Sequence, residues 1–127
     1  MRSQKVGENQ VIKSYKDLEV FKEGYRLAID LYKLVNKLPA EAYELVKQTK
    51  RSAMSIPLNL SEGYGKKDSV PEFKRYVRIA MGSSNEIEVL LEMLKDLCYI
   101  EEETYSSYIE AYQILGKRLN VLLNKWQ

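Results

Sequence analysis

Apolar positions return along most of this chain at alternating steps of three and four, the repeat of an α-helix with one buried stripe. In the first such segment Leu18, Phe21, Tyr25, Ala28, Tyr32 and Val35 form one stripe, and Val20, Leu27, Leu31, Leu34 and Leu38 run beside it. Together they predict a helix with a wide buried face. Pro39 ends it, because the residue before a proline is pushed toward extended geometry. A second helix is expected soon after Pro39, with Glu41 and Glu44 at the positive end of its dipole and Leu45, Thr49, Ala53, Ile56 and Leu60 on its inner face. Gly63 and Gly65 are expected to stop it by taking left-handed backbone. Ser69-Val-Pro-Glu72 reads as a capping box opening a third helix. That helix buries Phe73, Tyr76, Ala80, Ser83, Ile87, Leu90, Leu94 and Leu97, and its small segment 80–84 allows another backbone to come close. After a turn near Cys98, Glu101, Glu102 and Glu103 load the start of a fourth helix carrying Tyr105, Tyr108, Tyr112, Leu115, Leu119, Leu122 and Trp126.

No segment alternates with the period of a strand. The connections at 38–41, 63–70 and 98–101 are short, so consecutive helices should run antiparallel. The expected fold is all-α: an antiparallel up-down-up-down four-helix bundle over 14–127, with 1–13 as a flexible N-terminal tail.

The segment from Arg51 to Gly65 departs from ordinary helix filler. Pro57 falls inside the second helix, where a proline costs roughly 3 kcal/mol. The carbonyl it meets belongs to the small Ala53, so a kink rather than a break is expected. Polar Asn59, Ser61 and Glu62 follow on an apolar background, then Gly63-Tyr64-Gly65.

Composition narrows the chemistry. The 127 residues suffice for one domain with a real core. There is no histidine, which removes the commonest general base and the commonest transition-metal ligand, so no enzyme, cofactor or metal is expected. Cys98 is the one cysteine and excludes an internal disulfide. No run of 18 apolar residues or apolar leader occurs, so a cytoplasmic protein without a membrane span is expected. Net charge is only +2, but residues 47–78 carry +5 and residues 79–110 carry −7. Such separation can steer partners or other copies of the chain.

The run Ser55-Ile-Pro57, Asn59 and Glu62-Gly-Tyr-Gly65 is more specific than any heptad pattern. With Asp17-Leu-Glu-Val-Phe21, Arg51, Phe73, Arg75, Ile79-Ala80, Gly82-Ser83, Glu86, Glu88, Leu97 and Tyr99, it resembles the bacterial proteins encoded by intervening sequences within 23S rRNA genes. The resemblance spans roughly residues 15–125, with Cys98 and Glu44 standing where glycine is usual and Glu101 in place of a Ser-type cap. It implies a four-helix bundle assembling into a homopentamer. It also implies kinship with the accessory protein of diversity-generating retroelements, which partners a reverse transcriptase and its RNA. No biochemical activity is established for the family.

Three constellations merit a structural test. Lys66, Lys67, Lys74, Arg75 and Arg78 form a compact basic group, and Lys47, Lys50 and Arg51 a second one roughly 20 Å from the connecting turn. Either can contact RNA or DNA phosphates, or be a solvated face that meets the acidic segment of a neighbouring subunit. Arg51 can bind phosphate or cap carbonyls loosened by Pro57. Asn59, Glu62, Ser83 and Glu86 read as a polar network or subunit contact, with Glu62 reaching Arg75 or Arg78. The four are not all expected to be direct neighbours, and a carboxylate metal site from Glu62, Glu86 and Glu88 has no compact motif behind it. Tyr25, Tyr32, Tyr76, Tyr105, Tyr108 and Tyr112 read as core, while Tyr64 can stack on a base or pack back on the bundle.

Overall fold

The computed structural model describes the backbone of Gln4–Lys5 and all of residues 11–127. Four helices dominate: α1 (Glu19–Val35), α2 (Tyr43–Tyr64), α3 (Val70–Asp96) and α4 (Glu102–Lys125). α2 packs on α1 and α3, and α4 packs on α3 and α1, so the four close into a bundle with α1 and α3 at opposite corners. Cross-helix pairs give the direction. Lys50 meets Asn36, Ser55 meets Ser83 and Gln113 meets Glu88, so each consecutive pair is antiparallel and the topology is up-down-up-down as expected.

The core follows the apolar stripes. Leu31, Val35, Ala53, Ile56, Leu60, Phe73, Ala80, Ile87, Leu94, Tyr112, Leu115 and Leu119 are fully enclosed. Phe73 stacks on Trp126 with ring centres 4.2 Å apart, tying the start of α3 to the end of the chain. On α1 the inward face is Val20, Gly24, Leu27, Ala28, Leu31 and Val35. Tyr25 and Tyr32, expected in the core, are instead 54% and 40% exposed, Leu97, expected on the inner face of the third helix, lies exposed just past its end, and Tyr105 and Tyr108 are only half-buried. Gly24 explains the rotation: a Cβ there would stand 2.8 Å from Ile56 Cγ2, so this bare position is where α1 meets α2.

The expected tail is partly tied down. Gln4 pairs with Ile12 and Lys5 with Val11 in a two-residue antiparallel ladder, and Ile12 is buried in the core. The rest of 1–10 lies outside the described residues. Ser14 and Asp17 then form a reciprocal capping box, Ser14 accepting from Lys16 N–H at 3.1 Å and Asp17 accepting from the Lys13 and Ser14 amides. Those amides hold the Asp17 carboxyl below its ordinary pKa.

α2 continues unbroken through the buried Pro57. Gly65 closes it with φ −63°, so the expected left-handed stop does not form there. Gly63 serves close approach instead, since a Cβ would lie 2.6 Å from Tyr76 Cβ. The left-handed residue is Cys98, φ 65°, where α3 turns toward α4. Ser69 caps α3 by accepting from Glu72 N–H at 3.3 Å, while the Glu72 carboxylate turns to Arg75, so only half of the predicted box forms. Among the described residues no helix is long and apolar enough to cross a membrane.

Two substitutions check this account by chemical denaturation. Gly63→Ala should destabilise by about 1–3 kcal/mol, because the extra methyl group overpacks the α2–α3 contact. Cys98→Gly should stabilise by about 1 kcal/mol, because glycine adopts the left-handed conformation without a Cβ clash.

Candidate nucleic-acid interface

The turn between α2 and α3 gathers the first basic group around two tyrosines. Tyr76, nearly two turns into α3, is buried where Gly63 lets the helices meet at its Cβ. Its hydroxyl accepts from Lys66 Nζ at 2.9 Å and donates to Glu62 Oε1 at 3.3 Å. The Arg75 guanidinium lies 4.5 Å from the Tyr76 ring centre, and its Nε donates to Glu72 Oε2 at 3.1 Å. Lys67 Nζ stands 4.5 Å from the ring centre of Tyr64. Lys74 and Arg78 share the outward sector of α3 with Arg75, and among the described residues neither forms an ion pair.

The electrostatics hold these groups charged. Lys66 is raised above the ordinary lysine value, first by its hydrogen bond to Tyr76 and further by the nearby Glu62 and Glu72 carboxylates. Arg75 is raised, and Glu72 lowered, chiefly by their mutual hydrogen bond. Burial raises Tyr64, whose side chain packs back on the bundle and is 7% exposed, leaving no free face of the kind base stacking needs. The expected pairing of Glu62 with Arg75 or Arg78 is corrected: Arg75 has Glu72 three residues away, and Glu62 takes the Tyr76 hydroxyl.

The second basic group is separate, as its spacing requires. Lys50 Nζ lies 4.3 Å from the Tyr32 ring centre and donates to Asn36 Oδ1 at 2.7 Å. Lys47 Nζ stands 5.8 Å from the Tyr43 ring centre. Together with Arg51, Met54 and Leu58 they line an open groove. Among the described residues Arg51 donates to no backbone carbonyl, so the carbonyl-capping role is not the one it takes.

A polar ladder joins α2 to α3 between these groups. Ser52 Oγ donates to Glu86, and Ser55 and Ser83 share a hydroxyl–hydroxyl bond at 2.7 Å. Asn59 Nδ2 donates to Ser55 O at 2.8 Å and to Ser55 Oγ at 2.9 Å. Asn59 therefore reaches Ser83 through Ser55, Glu86 sits one rung farther, and Glu62 belongs to the Tyr76 group. Ser52, and the place of Ser55 in this network, were not read from the sequence; their three-four spacing with Asn59 is the signal that could have found them. Glu62, Glu86 and Glu88 hold three different partners, Tyr76, Ser52 and Gln113. Among the described residues no three His, Cys, Asp or Glu side chains converge to hold a metal ion.

Fold and surface together define a four-helix bundle whose polar groups are spent on helix register and on charged faces. The 23S rRNA-intervening sequence protein family matches residues 16–121, and the chain belongs to that family. A similar solved structure is a protein of unknown function from the S23 ribosomal protein family of Bacteroides thetaiotaomicron, 28% identical with a TM-score of 0.77. The match covers 84% of this chain and 96% of that one. No curated protein sequence matches the chain.

Removing the bridging hydroxyl tests the site's construction. Tyr76→Phe should lower stability by about 1 kcal/mol. In the same variant the Lys66 ammonium should titrate at lower pH than in the wild type, read from its side-chain NMR resonances, because the first cause of its raised pKa is gone.

Proposed function

We infer that this protein is a non-enzymatic, self-associating adaptor that contacts RNA or DNA phosphates through Lys66, Lys67, Lys74, Arg75 and Arg78. The observation that carries this reading is the pre-ordering of the cluster. Lys66 and Arg75 are held at the buried Tyr76, and Lys67 lies over Tyr64, beside Lys74 and Arg78, which among the described residues have no ion-pair partner. Cations fixed before binding lose less side-chain freedom on meeting a phosphate, and phosphate contact needs no reading of base edges. Homo-oligomerisation, as the pentamer that family resemblance implies, repeats the cluster and converts weak single contacts into avidity.

A second reading is a scaffold for a protein partner such as a reverse transcriptase, favoured by the exposed Tyr25, Ile29, Met54 and Leu58 on the α1–α2 face. Nuclease treatment separates the two: a partner retained on the protein after digestion of nucleic acid supports the scaffold.

Gel retardation of structured RNA at low salt tests the first reading. Lys66→Glu with Lys67→Glu should weaken binding at least about tenfold and flatten the dependence of log affinity on log salt by about 2, one unit per lost phosphate contact. Absence of retardation by the wild-type protein at low salt overturns it.

A further inference from the structure

Among the described residues two apolar faces are exposed, and each has what the other lacks. The first is the groove between α1 and α2. Tyr25, Ile29, Met54 and Leu58 lie along it, and Leu58 is 63% exposed. Lys47, Lys50 and Arg51 stand at one end, and among the described residues no carboxylate lines it. The second is the outer stripe of α3. Val89, Met93 and Leu97 recur every four residues and are 59%, 45% and 57% exposed, with exposed Glu86, Glu92 and Asp96 beside them. Gly82 continues the outer face toward the helix start with nothing within 4 Å of its Cβ position.

An apolar stripe at helical spacing, flanked by acids, is the form that seats in an apolar groove flanked by cations. We propose that the outer stripe of α3 from one copy of this chain docks in the α1–α2 groove of a second copy. The contact cannot close within one chain, because α1 and α3 sit at opposite corners of the bundle and do not touch. It is heterologous, and every copy offers both halves.

The charges are aimed for this. The antiparallel register of α2 and α3 brings Lys47, Lys50 and Arg51 level with the acidic part of α3, yet no ion pair joins the two helices. Lys47 and Lys50 turn to Tyr43 and Tyr32, and Glu86 and Glu88 are held by Ser52 and Gln113. Glu92, Val89 and Met93 face outward. A nucleic acid would answer the three cations but supplies no aliphatic surface for Leu58 and Met54; the α3 stripe supplies both. The inference rests on the self-associating reading above and specifies its interface, leaving the Lys66–Arg78 cluster open.

Light scattering behind size exclusion, at micromolar protein, reads the outcome. One variant carries Lys50→Glu and Arg51→Glu, the other Glu92→Lys and Asp96→Lys; all four positions are on the surface, and circular dichroism confirms the fold of each. Wild type should elute as a multiple of the chain mass that falls as salt rises. Each variant alone should be monomeric, and mixing the two should restore association into species larger than the monomer, because each contact between unlike variants pairs opposite charges again. The same rescue is expected when all four substitutions are combined in one chain. A wild-type oligomer unmoved by either variant overturns this pairing of faces while leaving self-association intact. Dissociation of both variants without rescue on mixing also overturns the pairing. Loss of RNA retention by the Lys50→Glu, Arg51→Glu variant at unchanged mass overturns it and assigns the groove to nucleic acid. A wild-type monomer overturns the pairing and the oligomeric reading together.

Discussion

The close approach of α2 and α3 is the constraint on which the rest of the molecule depends. Gly63 lies against Tyr76, and the facing stretch is built from small residues, Ser52, Ala53, Ser55, Ala80 and Ser83. Only at that separation can a serine hydroxyl on one helix reach a serine or carboxylate on the other. Apolar packing alone would tolerate a slip of one helical turn with modest loss. The ladder does not, because a slip would leave hydroxyls and the Glu86 carboxylate without their partners. The polar rungs set the register, and the apolar seam beneath them supplies the stability.

That register decides what the surface offers. It brings Tyr76 under Lys66 and beside Glu62, so a buried ring at the start of α3 organises a cation of the connecting turn, Arg75 of its own helix and the carboxylate at the end of α2. The remaining helices close around the pair by the same device of one bare or small position per contact. Gly24 of α1 admits Ile56 and lies near Leu115, and Ser84 of α3 donates to the Tyr112 carbonyl at 3.3 Å where α4 crosses. The Arg118–Glu23 ion pair sits across the α1–α4 seam.

The four helices, their order and their antiparallel pairing were legible from three-four spacing and short connections, since burial of a stripe needs only the period. What failed was the width of the buried face on α1: both stripes were expected inward, and Tyr25 and Tyr32 turn out. Two stripes run there one residue apart, and hydropathy favours Tyr25 and Tyr32 over Gly24. The structure chooses the glycine, because approach distance rather than hydrophobicity limits that contact. The same blindness hid Ser52 and the role of Ser55, which score as neutral residues in an apolar segment but carry the rungs. It also misassigned the glycines of the α2 stop: Gly65 remains right-handed, and the left-handed residue is Cys98, a type that carries no such signal. Glu62 illustrates a different limit. Charge in the sequence identifies candidate partners, whereas the partner it has is a neutral hydroxyl delivered by tertiary packing.

α2 shows how one helix serves three separate ends. Its turn places Lys47, Lys50, Met54 and Leu58 toward α1, Ser52, Ser55 and Asn59 toward α3, and Glu62 at the tip by the connecting turn. Pro57 is buried within α2 and has no amide to donate to the Ala53 carbonyl, yet the helix runs on through it and keeps all three faces in place. The two basic groups are thereby held apart by the length of the helix, beyond the distance over which salt lets surface charges act on each other at physiological ionic strength, about 8 Å. Each group must then be balanced by whatever meets its own face. Neutralising one leaves the other available, which is what the proposed contact between copies at one end of α2 and the proposed phosphate contact at the other both require.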